Sequence, residues 1–432
     1  MRDFLPHDVR RRDFVIGVVE DVYRRYGFQP LETPALENIE TLMGKYGEEG
    51  NRLIFKVLRR GEHESSGDTD LALRYDLTVP FARVVAEHRG KLPKFFKRYQ
   101  IQPVWRADRP SRGRFREFYQ CDVDIIGSRS MVVEAELCAA VSDVLLRLGF
   151  NDFVIRLNHR RVLSGLLEAS GVPDELHGQA LVALDKLDKI GQDGVRRELE
   201  QRGIHADASA SLLSAFEAGS TLDRVTDLLR DRPEALAAAG DLREVMALST
   251  VTSAAPHLRF DASLARGLSY YTGAIMEIGV PDLPGSLGGG GRYDDLIGMF
   301  LGDAIPACGF SLGLERILVV MTERGMFPPD VEAVAADVLV TLFEGEDVGE
   351  ALRLAGELRE AGFRVEVYPE PDKLGKQFKY AAAAGIPRVA VVGGDERARG
   401  VVTIKDMTTA GQRAIPRAEL TAWLTAGAER KH

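Results

Sequence analysis

Lys97–Ile126 reads KRYQIQPVWRADRPSRGRFREFYQCDVDII, and its alternation decides what fold the chain can adopt. At the two-residue period of a strand, Tyr99, Ile101, Pro103 and Trp105 fall on one face and Gln100, Gln102, Arg106 and Asp108 on the other. Beyond a basic link, Arg109-Pro-Ser-Arg-Gly-Arg114, the alternation resumes. Tyr119, Cys121, Val123 and Ile125 form an apolar face, and Phe118, Gln120, Asp122 and Asp124 the opposite one. The stretch predicts a hairpin with one face suited to a core and one carrying mostly hydrogen-bonding groups. A solvated hairpin with a basic loop would satisfy the composition. Arg106, Arg109, Arg112, Arg114 and Arg116 point further, since repeated arginine suits bidentate recognition of carboxylate or phosphate. Asp108 and Asp124 on the same face suit a cationic amine or a magnesium ion. Both signs on one sheet face suit a zwitterion together with a nucleotide.

A chain of 432 residues has room for two or three domains, and 45% hydrophobic with 28% charged residues is ordinary for a globular protein. The net charge of −9 argues against general nucleic-acid affinity, so an RNA site would have to be a local basic patch. Cys121, Cys138 and Cys308 form no CxxC pair and predict buried free thiols in a reducing compartment. The eight histidines show no ligand spacing, so no structural metal is expected. The N-terminus lacks the apolar run of a signal peptide and no segment is long enough to span a bilayer, which predicts the cytoplasm.

Around the hairpin the pattern is mixed. Residues 8–26 predict an amphipathic helix with Phe14, Val15, Val18, Val22 and Tyr26 on its buried stripe, ended by Gly27. FQPLETPALE, with Pro30 and Pro34, predicts a strand edge or an interface. LIFKVL (53–58) predicts a short strand, and LALRYDLTVPFAR (71–83) a strand running into a helix. Asp76 and Thr78 straddle that junction, as a helix cap or as acceptors for an ammonium group. Residues 130–148 predict a helix and 153–160 a strand, and from about Gly171 to Leu248 the texture becomes helical, an insertion containing ALDKLDKIG. In RFDASLARGLSYYTGAIMEI (259–278), adjacent Tyr270 and Tyr271 on a strand would point to opposite faces, and Arg266 sits beside Gly267. The four glycines of GSLGGGGRYDD allow close backbone approach or a flexible loop. ACGFSLGLERILVVM predicts strand, turn and helix, with Arg316 in the first helical turn. There the helix dipole disfavours a cation, unless an anion is bound beside it. After Pro328–Pro329 a second α/β pattern begins, carrying Lys373, Lys376, Lys379 and Lys405 and no P-loop or GxGxxG fingerprint.

Together these stretches resemble the histidine–tRNA ligases, class II aminoacyl-tRNA synthetases, over essentially the whole chain. LETPALE is similar to the family's first motif at its dimer interface, WRADRPSRGRFREFYQCDVDIIG to the second, and GFSLGLERI to the third. LRYDLTVPFAR and RGLSYYTG resemble stretches particular to the histidine enzymes, and ALDKLDKIG fits their insertion. The resemblance implies an α+β catalytic domain on an antiparallel sheet over 1–326, with a helical insertion at about 171–250. A linker at 327–334 and an α/β anticodon-binding domain with a mixed sheet over 335–432 would follow.

It also implies roles. Asp76, Thr78, Gln120 and Asp124 would bind the amine and imidazole of histidine, with Tyr270 and Tyr271 closing around the side chain. Arg106 would bridge the substrate carboxylate and the α-phosphate of ATP, and Arg266 would reach that phosphate from the other side, as the two catalytic residues. Asp108, Arg114 and Arg316 would serve ATP with Mg2+, and Arg109 would meet the acceptor end of tRNA(His). A cytoplasmic homodimer is implied. Ser269 stands where the family pattern has Asp, which leaves no carboxylate role there. The alternative is the synthetase-like regulatory subunit of ATP phosphoribosyltransferase, against which the C-terminal domain and Arg266 weigh. A pure RNA-binding module would not explain the two-signed face.

Overall fold

The computed structural model describes residues 1–59, 67–184, 186–216, 220–265, 270–329, 331, 336–343 and 348–429. Contacts divide the chain into two units, Met1–Phe327 and Pro328–His432. The first holds strands β1 (Gln29–Pro30), β2 (Leu36–Asn38), β3 (Lys56–Leu58), β4 (Thr69–Leu73), β5 (Phe96–Trp105), β6 (Glu117–Ile126), β7 (Val154–His159), β8 (Leu258–Phe260), β9 (Ala274–Gly279), β10 (Gly288–Arg292) and β11 (Ala307–Gly313). Eight of them form one sheet in the order β1-β5-β6-β11-β10-β9-β7-β8, and β2-β4-β3 form a small second sheet. The large sheet is antiparallel except at its two edges, where β1 runs parallel to β5 and β8 parallel to β7.

The hairpin anchors this sheet. Along β5 and β6, Tyr99 pairs with Val123, Ile101 with Cys121, Gln100 with Asp122 and Gln102 with Gln120, so apolar and polar residues segregate as the alternation requires. On the apolar face Cys121, Val123 and Ile125 pack with residues of the helices Pro6–Arg25 and Val132–Arg147. The same core continues into the insertion, whose helices are His177–Leu184, Leu187–Gln201, Ala206–Ser214, Leu222–Leu228 and Pro233–Ser249. All three cysteines are free and buried. A second apolar cluster, including Leu42, Tyr46, Phe81, Tyr270 and Tyr293, gathers separately from this core.

Several local expectations change. The buried stripe of the first helix is Val15, Val19, Val22 and Tyr23, while Phe14, Val18 and Tyr26 are only half-buried. The tertiary contact rotates the stripe by about one position. LIFKVL contributes only its last three residues to β3, although Ile54 is buried. The glycine run is neither loop nor surface, because it forms the interior strand β10, between β9 and β11. No turn separates β11 from the helix Leu314–Glu323. Among the described residues no helix is long and apolar enough to cross a membrane.

The second unit carries β12 (Val338–Val340), β13 (Val365–Val367), β14 (Arg388–Val391), β15 (Val401–Asp406) and β16 (Gln412–Pro416) in the order β13-β12-β14-β15-β16. The first three of that order are parallel and the last two antiparallel, giving a mixed sheet. The alternation in DVLVTLF (337–343), RVEVYPE (364–370), PRVAVVGGDE (387–396) and VVTIKDMT (401–408) anticipates four of the five strands. It misses β16, whose only buried residue is Ile415, and the short helix Gly394–Ala398.

The glycines of β10 are demanded by their neighbours. A Cβ on Gly290 would overlap the Gly309 carbonyl oxygen across the ladder. Gly290→Ala should lower stability by about 1–3 kcal/mol, the usual cost of overpacking. Thermal or urea unfolding of the full chain measures it, and an unchanged midpoint would contradict this packing.

Candidate active site

The polar face of the hairpin is the floor of a buried, charged pocket. Asp122 and Asp124 on β6 are each 2% exposed, and opposite them β11 offers Ser311 and Gly309 and β10 offers Gly289 and Gly291. Three of those positions carry no side chain. The space a Cβ on Gly291 would need is taken by the Ala274 carbonyl oxygen and the Tyr271 ring, and that on Gly309 by the Asp124 carboxylate. The glycines thus admit the Tyr271 ring and the Asp124 carboxylate against the sheet.

Asp76 lies at the wall, 1% exposed, with donors on both oxygens. One oxygen accepts from the Tyr46 hydroxyl at 3.0 Å and from the Val79 N–H at 3.1 Å, and the other accepts from the Tyr270 hydroxyl at 3.0 Å. The Val79 bond caps the helix Thr78–His88, so Asp76 is a helix cap as well as a pocket carboxylate. Thr78 begins that helix. Burial pushes the Asp76 carboxyl above its ordinary range, opposed by the Val79 N–H, the charge of Arg106 and the two tyrosines.

Tyr270 and Tyr271 are not on a strand, contrary to the alternation argument. They lie in the segment entering β9, released from the two-face rule, with rings 5.0 Å apart edge to face. Tyr270 also meets Tyr293 edge to face at 6.0 Å, and the Tyr293 hydroxyl donates to Asp124. Gln120 donates to the Ser311 hydroxyl at 2.8 Å. Its Oε1 and Asp122 Oδ1 are buried acceptors with no hydrogen-bond partner among the described residues. Burial raises Asp122 to about 7 and raises Asp124 as well, the charge of Arg98 opposing both.

The cationic side is assembled by the hairpin link. Arg106 donates from Nε to the Tyr75 carbonyl at 3.0 Å and lies 4.3 Å above the Tyr75 ring. Arg114 Nε donates to Asp108 at 3.0 Å. Arg316, in the first turn of its helix, donates to the Ser286 carbonyl and packs against Gly113 at the tip of the link. Arg112 pairs with Glu323 and Arg109 is exposed on the link. Arg266 and Ser269 lie outside the described residues. Sequence reasoning passed over Arg98, Tyr46, Tyr293 and Glu315. Arg98 shares its parity with Gln100 and was legible. Tyr46 and Tyr293 reach the pocket from distant segments and carried no local signal. Glu315, also in the first turn of the Arg316 helix, accepts the Tyr119 N–H with both oxygens, at 3.1 and 2.9 Å, and so ties β6 to that helix.

The chain matches the family model described as histidyl-tRNA synthetase over residues 1–317 and the anticodon-binding-domain model over 337–426. A curated histidine–tRNA ligase of Porphyromonas gingivalis is 44% identical over 437 residues, covering 96% of each chain. The crystal structure of histidyl-tRNA synthetase from a Nostoc species superposes with a TM-score of 0.80 at 30% identity, covering 98% of this chain and 97% of that one. A Bacillus halodurans structure described as an ATP phosphoribosyltransferase regulatory subunit/histidyl-tRNA synthetase superposes at 0.73 with 19% identity, which bears on fold alone.

Glu315 has a measurable consequence. Burial raises its carboxyl to about 7, against the lowering influence of backbone N–H groups and of Arg2 and Arg12. Below the ordinary carboxyl value both folded and unfolded chains hold the proton. Between roughly pH 4.3 and 7 only the folded chain does, so stability falls through that window, by roughly 4 kcal/mol in total. Glu315→Gln should lose less stability between pH 5 and pH 8 than the unmodified chain. Parallel pH profiles of urea unfolding would refute the assignment.

Proposed function

The chain belongs to the histidyl-tRNA synthetase family, and from that premise we propose that its two-signed pocket activates L-histidine with ATP and passes it to the 3′ end of tRNA(His). This is an ATP-dependent ligation that forms AMP and pyrophosphate. The observation that carries it is the family match over 1–317 and 337–426, with a curated ligase aligned along 96% of both chains. That full-length correspondence favours the ligase over the regulatory-subunit alternative.

The pocket's chemistry supports the roles. Asp76 and Thr78 receive the substrate ammonium, and Gln120 and Asp124 the imidazole. Gln120 keeps a buried acceptor free of protein hydrogen bonds among the described residues, which suits a ligand rich in N–H donors. Tyr270 and Tyr271 close around the side chain. A pocket built of hydrogen-bonding groups rejects an amino acid lacking the matching groups far more strongly than an apolar pocket rejects a smaller one.

Arg106, oriented by the Tyr75 carbonyl and its aromatic bed, aligns the histidine carboxylate with the α-phosphate. Arg266 is assigned the opposite side of that phosphate. Asp108, Arg114 and Arg316 hold the remainder of ATP. The carboxylate oxygen attacks the α-phosphorus, pyrophosphate leaves, and a ribose hydroxyl of the tRNA then takes the acyl group and releases AMP. Orientation and fixed charge carry this chemistry. Magnesium would screen the triphosphate. Asp108, the carboxylate beside Arg114, is the residue that would hold the ion.

Residues 1–326 are assigned the chemistry, 327–334 a linker, and 335–432 the anticodon, with Arg109 meeting the acceptor end. In the second unit Lys376 pairs with Asp372 at 3.1 Å and Lys405 lies over Phe378 at 3.9 Å, which leaves Lys373 and Lys379 as the stronger candidates for phosphate contacts. A cytoplasmic homodimer completes the proposal. It pairs through the exposed, proline-interrupted edge at β1.

Purified protein should exchange pyrophosphate into ATP only when L-histidine is supplied, and equal exchange with another amino acid would end the assignment. Arg106→Ala should lower the single-turnover rate of adenylate formation on the order of 10²–10³-fold while histidine binding by calorimetry changes much less. Loss of affinity with the saturated rate intact would contradict its role. Sedimentation at assay concentration should give a dimer, and an active monomer would exclude one.

A further inference from the structure

Arg98 is the most deeply buried charged residue of the pocket, 0% exposed, and no role has yet been given to it. Its Nη2 lies 2.8 Å from Asp124 Oδ2 and 3.9 Å from Asp122 Oδ2. The 2.8 Å contact is an ion pair whose angle falls outside hydrogen-bond geometry. Nη1 donates to Gln100 Oε1 at 3.2 Å, Nη2 to the Leu77 carbonyl at 3.5 Å, and the guanidinium lies 4.3 Å above the Phe81 ring. One planar cation is thus fixed by the sheet, a backbone carbonyl and an aromatic face between two carboxylates.

The surroundings of Asp124 make that cation consequential. Asp122 faces it from its own strand, Arg98 from β5, and the Tyr293 hydroxyl from beyond β10. Asp76, held by Tyr46 and Tyr270, acts on it from the start of the helix Thr78–His88. β11 presents only Gly309, which is why the carboxylate fits. Two like charges sharing a buried site oppose each other's ionisation, and a single guanidinium relieves both.

We propose that Arg98 is a positioning residue for histidine recognition: clamped by Gln100, Leu77 and Phe81, it aims the Asp124 carboxylate at the substrate imidazole and offsets the competing charge of Asp122. The inference rests on the assignment of Asp124 to the imidazole. The direction of the pH effect follows from geometry. Without Arg98 the Asp124 carboxylate, buried beside Asp122 and Asp76, takes up a proton at higher pH. Histidine affinity is then lost as pH falls, earlier than in the unmodified chain.

The test uses full-length protein and histidine-dependent ATP–pyrophosphate exchange from pH 6 to 9, with L-histidine calorimetry alongside. Free histidine's own imidazole titrates near 6.5 in every sample, so the comparison is between variants. Arg98→Met should raise KM for histidine roughly 10- to 100-fold at pH 8, the scale of a charge-assisted contact, with kcat and KM for ATP within about twofold. Its KM should climb more steeply towards pH 6, and Asp122→Asn placed in the same chain should recover much of the loss. Arg98→Lys, which keeps the charge without the fork, should raise KM about tenfold without steepening the profile. An unchanged histidine KM in Arg98→Met, or a loss equal at every pH and not relieved by Asp122→Asn, overturns the proposal. Should Arg98→Met fail to fold, Arg98→Lys decides, and the unmodified KM at every pH overturns it. No histidine-dependent exchange in the unmodified chain would instead overturn the activity, and this inference with it.

Discussion

Three carboxylates, Asp76, Asp122 and Asp124, are buried on one side of a sheet, and the fully buried guanidinium of Arg98 lies against Asp122 and Asp124. Removing an ion from water costs several kcal/mol even after relaxation, and the cost is recovered only where donors and counter-charges are already in place. For Asp76 they are two phenols and a backbone N–H, and for Asp124 a phenol and Arg98. The compensation is incomplete, and Asp122 and Gln120 retain unpartnered buried acceptors among the described residues. A pocket left short of donors and positive charge suits a ligand that brings both, as the histidine ammonium and imidazole proposed for it would.

The glycines make this possible. β10 and β11 run between the acidic strand β6 and the rest of the sheet, and side chains at Gly291 or Gly309 would occupy the space of Tyr271 or of the Asp124 carboxylate. The sheet trades packing for volume on one face while Cys121, Val123, Ile125 and Phe310 keep the other face dry. The larger apolar core lies on that second face, and the smaller cluster with Tyr46, Phe81, Tyr270 and Tyr293 packs around the site.

The same hairpin links the pocket to the edge proposed for pairing. Arg98 bonds Gln100, which donates to Thr33 Oγ1 at 2.9 Å and to Gln102 at 2.7 Å. Arg74 donates to Gln102 at 3.0 Å and to the carbonyls of Thr33 and Pro103 at 2.6 and 2.9 Å. A buried arginine satisfied largely by carbonyls is expensive, and burial lowers Arg74 to about 10. The expense is consistent with a segment that must hold β1, the hairpin and Asp76 in one register.

What the sequence determined by itself was everything that depends on neighbours along the chain. The period of Tyr99–Trp105 and Tyr119–Ile125 specified the hairpin and its two faces, because side chains alternate across any strand. The helical texture of 171–248 and the alternating C-terminal pattern specified the other layers for the same local reason. Asp76, Asp124, Gln120 and the arginines of the link could be singled out as polar residues in a regular frame. What only the tertiary structure decided depends on segments far apart. Tyr46 and Tyr293 bond Asp76 and Asp124 across long chain separations, so no pattern marked them. Tyr270 and Tyr271 left the strand because β9 begins only at Ala274, after which Gly291 receives the Tyr271 ring. The glycine run became an interior strand because β9 and β11 supply its backbone partners, and glycine's low intrinsic strand preference is outweighed by those ladders. Burial, too, is a property of the assembled sheet. The parity of Arg98 with Gln100 places it on the polar face, but it becomes the pocket's fixed charge only when helix Thr78–His88 covers it with Phe81.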